Sequence, residues 1–263
     1  MAENIRKKIA IIGLGRVGSS LARLLVENGI EFIGGFSSTV ESSVKAIKKI
    51  QAGRVLSIEE LKDADAVFVC VQDRNIEKIA KKISFQDFAF ENMTFIHCSG
   101  SYGLDVLSPI SEKGGEIAVF HPLFPFIDFE FSLANIRGAY VGVEGPEWLY
   151  SLAKRLGLVP FSLPKNRGKY HLGAVLSSGL LLSLLSYPEE IAKELGIPVE
   201  AYLKLAENAI KGAMNFSIMD SITGPWKRGD DEVIKKHLEN CSDPILYSRL
   251  LRRIREVLRE NKH

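Results

Sequence analysis

Short apolar runs alternate with amphipathic stretches up to about residue 165, and the runs then stop. Strands are expected at Lys8–Ile12, Glu31–Phe36, Ala66–Val71, Thr94–His97, Glu116–His121, Ala139–Val143 and Val159–Ser162. Apolar residues at helical spacing predict helices at Val17–Asn28, Val40–Lys49, Ile76–Lys82 and Glu147–Leu156. Such alternation builds a mostly parallel sheet with helices on both faces. Beyond Lys165 the spacing is helical throughout, over Lys169–Glu194, Val199–Ile218, Asp231–Glu239 and Pro244–Arg259. Gly196 and Pro198 close the first of these, Thr223-Gly-Pro225 follows the second, and Asp243-Pro244 gives the last an N-cap and a first-turn proline. The chain reads as an α/β, doubly wound domain over residues 1–165 followed by an all-helical domain over residues 166–263.

Composition narrows the function classes. A formal net charge of +2 gives no reason to expect a nucleic-acid partner. The longest apolar stretch, Leu172–Leu185, contains serines and two glycines and is read as too short for a membrane span. Lys7 and Lys8 precede a strand-like run rather than a leader peptide. Cys70, Cys98 and Cys241 lack metal-site spacing, so no metal is expected. Free thiols of this kind fit a reducing cytoplasm.

The first strand runs into Gly13-Leu14-Gly15-Arg16-Val17-Gly18 and then into a helix, the order of a dinucleotide fingerprint and of a Rossmann-type fold. Gly13 permits the tight turn, Gly15 a close approach by a pyrophosphate, and Gly18 close packing of helix on strand. The helix N-terminus offers N–H groups to phosphate. The second strand ends in Ser37-Ser38-Thr39, where an NAD site would place a carboxylate for the ribose diol. Hydroxyls there, with Arg16 and Lys45 as nearby cations, favour NADP (NADPH) over NAD. The same hydroxyls also suit a cap for the next helix.

Ligands of such sheets lie beyond the carboxyl ends of the strands. Cys70, Val71 and Gln72 therefore border the cofactor, and His97, Ser99 and Gly100 line its nicotinamide end, with Ser101 toward substrate. His121, at the mouth of a loop stiffened by Pro122 and Pro125, is the first candidate for proton donor, with Lys169 and His171 as alternates. Lys169 and His171 stand about 200° apart on a regular helix and cannot share a face. His171, Ala174, Val175 and Ser178 do share one, so Ser178 is a substrate candidate. Arg228 could clamp an acidic substrate. The competing readings are a histidine satisfied by backbone and a merely exposed lysine.

Several motifs occur in order: the glycine fingerprint, His97-x-Ser99-Gly100, His121-Pro122-Leu123, Lys169-Tyr170-His171, Thr223-Gly-Pro225 with Arg228-Gly-Asp230, and Val233 with His237-Leu238. The set resembles the bacterial family that joins a Rossmann-like domain to the helical domain DUF2520. That family is similar to prephenate dehydrogenases and to 6-phosphogluconate and hydroxyacid dehydrogenases. The resemblance implies an NADP-dependent oxidoreductase, dimeric through its helical part. Hydride would pass between NADPH and a small carbonyl, imine or hydroxy compound in a cleft between the domains. Two departures stand out: Ser178-Gly179 where the family has Ser-Asn, and Val71-Gln72-Asp73 where it often has Val-Pro-Asp. A non-catalytic NADP-binding regulator or scaffold is the rival reading, and a prephenate-dehydrogenase-like enzyme another. A methyltransferase would want an acid after the second strand, which is absent.

Overall fold

A computed structural model describes residues 6–260. Eight strands form one sheet: β1 (Ile9–Ile12), β2 (Phe32–Phe36), β3 (Arg54–Val55), β4 (Ala66–Val69), β5 (Thr94–His97), β6 (Glu116–Pro122), β7 (Tyr140–Glu144) and β8 (Val159–Ser162). Their order is β3-β2-β1-β4-β5-β6-β7-β8. The first six are parallel, β7 is antiparallel to β6, and β8 is parallel to β7. The sheet is thus mostly parallel, as the alternation predicts. The reversal at β7 and the two-residue β3 are additions to that expectation.

Helices α1 (Arg16–Glu27), α2 (Val40–Ile50) and α3 (Asp73–Ser84) follow β1, β2 and β4. One-turn α4 (Ser108–Ser111), then α5 (Phe129–Asn135) and α6 (Glu147–Arg155), complete the sheet's connections. Side chains alternate across a strand, and this alternation creates two cores. Ile9 and Ile11 of β1 and Phe68 of β4 join Leu21, Leu24 and Leu25 of α1 on one face. Ala10, Ile12, Val67 and Val69 join Ile76, Ala80 and Ile83 of α3 on the other. Each large side chain so buried contributes about 1.5–3 kcal/mol.

Helices α7 (Arg167–Leu176), α8 (Gly179–Leu195), α9 (Val199–Asn215), α10 (Ile218–Ser221), α11 (Pro225–Arg228), α12 (Asp231–Glu239) and α13 (Pro244–Glu260) make up the rest. The long helix expected at Lys169–Glu194 is in fact two, divided by a turn at Ser177-Ser178. Ser, Ser and Gly in succession are weak helix formers, and their cost outweighs the continuing apolar period. The compact units divide between Gly179 and Leu180, so α7 groups with the sheet.

The segment Arg167–Leu195 has a mean hydropathy of 1.3 and is long and apolar enough to cross a membrane by composition, which revises the expectation drawn from Leu172–Leu185 alone. The turn cuts this run, and α8 turns polar at Pro188-Glu189-Glu190. Within the second unit, α8 buries Ala192 and α9 buries no residue, while Leu182, Leu205, Met214 and Phe216 are exposed.

Candidate active site

At the end of β1, Gly13 adopts φ +90°, and a Cβ there would lie 2.5 Å from the carbonyl oxygen of Cys70. Only glycine fits so close to the end of β4. Gly18 is equally constrained, since a Cβ would fall 2.1 Å from Gly13 O. Gly15 is different: a Cβ would meet nothing within 4 Å. Gly15 is also the N-cap of α1, with no side chain closing that helix end and no acid in its first turn. An uncapped, open helix terminus fits a phosphate group, so the residues present suit a dinucleotide. Arg16 is exposed at this end, Val17 is half-buried, and Leu14 is buried.

The hydroxyls after β2 have divided roles. Ser37 Oγ accepts from Leu14 N–H at 3.1 Å, tying the β2 terminus to the glycine turn. Thr39 is the N-cap of α2, its side chain accepting from Ser42 N–H at 3.1 Å. Ser38 is exposed. Lys45 pairs with Glu41 at 2.7 Å on the exposed face of α2. Thr39→Ala is expected to lower stability by about 1 kcal/mol in urea unfolding and to leave NADPH affinity unchanged. A fall in affinity instead would place Thr39 on the ligand.

At the ends of β4 and β5, the sulfurs of Cys70 and Cys98 lie 3.5 Å apart. The hydrogen bond to Cys98, and then burial, push the Cys70 thiol well above its usual range. It is therefore a poor nucleophile. Val71 is half-buried against Gly13 and Gln72 is the exposed N-cap of α3. His97 is fully buried, and both ring nitrogens are used by backbone: Nε2 donates to Gly103 O at 3.0 Å and Nδ1 accepts from Ser99 N–H at 3.2 Å. Ser99 Oγ accepts from Ser101 N–H, and the Ser101 hydroxyl donates to Asp73 at 2.9 Å. His97, Ser99 and Ser101 thus build the turn that carries Gly100.

Burial holds the His97 pKa down at about 4, against 6.5 for the free side chain. Between those values the unfolded chain binds a proton and the folded chain does not. Stability is therefore full above about pH 6.5 and is lost as pH falls toward about 4. His97→Asn should make that limb of a stability-against-pH curve shallower in urea unfolding, the rest coming from His121, which burial also holds near 4. An unchanged slope would remove His97 as its source.

His121 emerges at the end of β6, beside Gly142 of the reversed strand β7. The missing side chain at Gly142 is what admits Leu163 and Tyr170: a Cβ there would lie 2.3 Å from Leu163 Cδ2 and 3.1 Å from Tyr170 Oη. Tyr170 Oη and His121 Nδ1 are 2.6 Å apart. Gly100 approaches the same ring, where a Cβ would come within 2.6 Å of His121 Cε1 and 2.8 Å of Nε2. His171 follows at 6.3 Å between ring centroids. Burial, and next the neighbouring His171, lower His121 to about 4, so it is neutral near pH 7. Burial raises the Tyr170 phenol to about 12, with Arg167 pulling the other way.

Asn166 caps α7 by accepting Lys169 N–H at 3.0 Å, and this sets the helix phase. Arg167, Tyr170 and His171 then share the face toward His121, while Lys169 is exposed. Ser178 is exposed in the turn, its hydroxyl donating to Ala174 O at 2.7 Å. Arg228 is exposed on α11, in the other compact unit. The structure therefore brings together His121, His171 and Gly100 of the expected residues, and adds Tyr170 and Arg167. Among the described residues no group of three or more His, Cys, Asp or Glu could hold a metal.

The parallel strands, the glycine turn and the uncapped helix end define a dinucleotide-binding protein of the Rossmann type. Residues 8–98 match the family described as NADP oxidoreductase, coenzyme F420-dependent, and residues 140–254 match the domain of unknown function DUF2520. The two matches, in that order along the chain, support a family that couples a Rossmann-like NADP oxidoreductase domain to DUF2520. A comparison with curated proteins finds no matching sequence.

Among solved structures, a protein described as an NADP oxidoreductase from Bacteroides fragilis is 22% identical, with a TM-score of 0.79 over 95% of this chain and 98% of that one. Protein TM1727 from Thermotoga maritima is 23% identical, with a TM-score of 0.71 over 97% and 100%. A 1-pyrroline-5-carboxylate reductase from Streptococcus pyogenes is 16% identical, with a TM-score of 0.65 over 96% and 98%. These likenesses establish the shared fold.

Proposed function

We propose that this protein is an NADPH-dependent reductase of a small carbonyl or imine compound, with Tyr170 as proton donor and His121 as its partner. The observation that carries this reading is the 2.6 Å contact between Tyr170 Oη and His121 Nδ1 at the carboxyl edge of a dinucleotide-binding sheet. Gly13, Gly15 and the N-terminus of α1 would hold the pyrophosphate, and Ser37 and Ser38 would face the 2′-phosphate. Bound NADPH supplies a hydride to an electrophilic carbon.

The chain's own residues manage the proton. With His121 neutral, an imidazolium is unavailable near pH 7, which moves the donor role from His121 to the phenol. A proton on His121 Nδ1 donates to Tyr170 Oη and leaves the phenolic hydrogen for a substrate oxygen or nitrogen. When Tyr170 gives up that hydrogen, the His121 N–H and the Arg167 charge stabilise the phenolate. His171 shares the face of Tyr170 and meets His121 edge-on at 6.3 Å between ring centroids, whereas the hydrogen bond to His121 is made by Tyr170, and Lys169 is on the opposite side of α7; the scheme assigns the proton to neither.

The test compares NADPH with NADH by thermal shift and fluorescence titration, then follows NADPH oxidation with a panel of oxo acids, aldehydes and cyclic imines. Preference for NADPH and turnover on a panel member support the reading. Tighter binding of NADH overturns the 2′-phosphate assignment, and saturable NADPH binding with no turnover on any compound favours the regulator.

We also propose that a second copy covers the exposed apolar residues of α8 and α9, giving a homodimer through the helical unit. Leu182 and Leu205 are 64% and 66% exposed, which is costly for leucines left in water. Sedimentation at micromolar concentration should give twice the 29.2 kDa chain mass, and a monomer would refute the dimer.

A further inference from the structure

The side chain of Arg167 is 10% exposed, and one of its terminal nitrogens is committed to an ion pair with Glu144 through Nη2. The other, Nη1, is buried with no hydrogen-bond partner. A buried guanidinium nitrogen left unmatched is expensive, and such a group persists where a ligand completes it. Arg167 lies one turn before His171 and three residues before Tyr170, on the helix face that meets His121. Its charge acts on His97, His121 and Tyr170 alike.

From this geometry we infer that Arg167 is a specificity residue that takes the carboxylate of the substrate, making the substrate class small 2-oxo or 2-imino acids. The inference rests on the reductase reading above. A carboxylate oxygen on Nη1 forms a charge-assisted hydrogen bond and places the adjacent carbonyl or imine carbon near the Tyr170 hydroxyl. Glu144, whose side chain is 42% exposed, already neutralises the guanidinium. The pair is formally neutral, so a carboxylate leaves the site with one net negative charge and a phosphate dianion with two, and Nη1 alone remains to bond either; the monoanion is the cheaper to seat.

The experiment measures binding of 2-oxo acids of graded length, from pyruvate to 2-oxoglutarate, by calorimetry. Pyruvamide serves as the uncharged match and inorganic phosphate as competitor, on wild type, Arg167→Met and Arg167→Lys. Each titration is run with and without NADPH. Wild type should prefer at least one oxo acid over the amide, and Arg167→Met should weaken that acid by about tenfold to a hundredfold while leaving the amide unchanged. Arg167→Lys, which keeps the charge, should fall between and supports the anchor if the methionine variant does not fold.

A structural role would weaken acid and amide together, so the acid-to-amide ratio is the decisive readout. Equal binding of acid and amide, absence of binding by every oxo acid, an unchanged ratio in both variants, or phosphate competing as well as the acid each overturns the inference. Failure of wild type to bind NADPH strikes the reductase reading instead, and the titrations without NADPH still judge the anchor.

Discussion

Tyr170→Phe is expected to lower turnover by about 10²–10⁴ while leaving the NADPH dissociation constant unchanged. The substitution removes the phenolic hydrogen and one hydrogen bond and leaves the ring on α7. His121 remains in β6, so the sheet edge keeps its shape. The pH profile separates this mechanism from one in which a histidinium gives the proton. With His121 at about 4 and Tyr170 at about 12, the active form, neutral imidazole and protonated phenol, is dominant across the neutral range. Wild-type kcat should therefore be flat between roughly pH 5.5 and 9, falling on the acid side as His121 protonates near its low pKa and on the alkaline side as the phenol ionises toward about 12. A rate that declines steadily as pH rises through the neutral range would assign the proton to a histidine and sink the Tyr170 mechanism.

The second large effect separates two glycines of one turn. Gly13→Ala puts a side chain on a residue at φ +90° and against the Cys70 carbonyl, and should cost about 2–4 kcal/mol of stability together with most NADPH binding. Gly15→Ala adds its methyl to open space at φ −77° and should melt like the wild type. Its loss should appear only in affinity, as at least about a tenfold weakening where the ligand approaches the backbone. Urea unfolding and NADPH fluorescence titration on both variants check this. Equal unfolding midpoints for the two would contradict the packing described at Gly13.

Much of this was readable from residues alone, and the exceptions have physical causes. The first two parallel crossovers were legible because a glycine turn and apolar periods mark them without ambiguity. The direction of β7 was not. The segment from Leu123 to Ala139 is long enough for a parallel crossover, and strand patterning carries no arrow. The strand β3 is two residues long and too short for any period to show. The break at Ser177-Ser178 lay inside an unbroken apolar rhythm, and the weak helix formers there were the overlooked signal.

At the site, His121 and His171 could be named from their chemistry and placement. Tyr170 and Arg167 do not stand out by residue type, although the sequence holds a clue to both. Asn166 is a strong N-cap, and counting back one turn from His171 reaches Arg167, with Tyr170 between on the same side. The downward shift of His121 is not readable from sequence, because it comes first from burial in the fold and then from His171, far along the chain. The role of Ser101 likewise depends on Asp73 coming close from another element, whereas Ser99 bonds within its own turn.

The division of the chain at Gly179 places the glycine turn, His121, Tyr170 and Arg167 in one compact unit, so a substitution in the helices behind it alters none of these side chains. The DUF2520 match at residues 140–254 runs across that joint and takes in Tyr170 and Arg167 together with the later helices. The unit of packing and the unit of sequence likeness therefore end at different places along the chain.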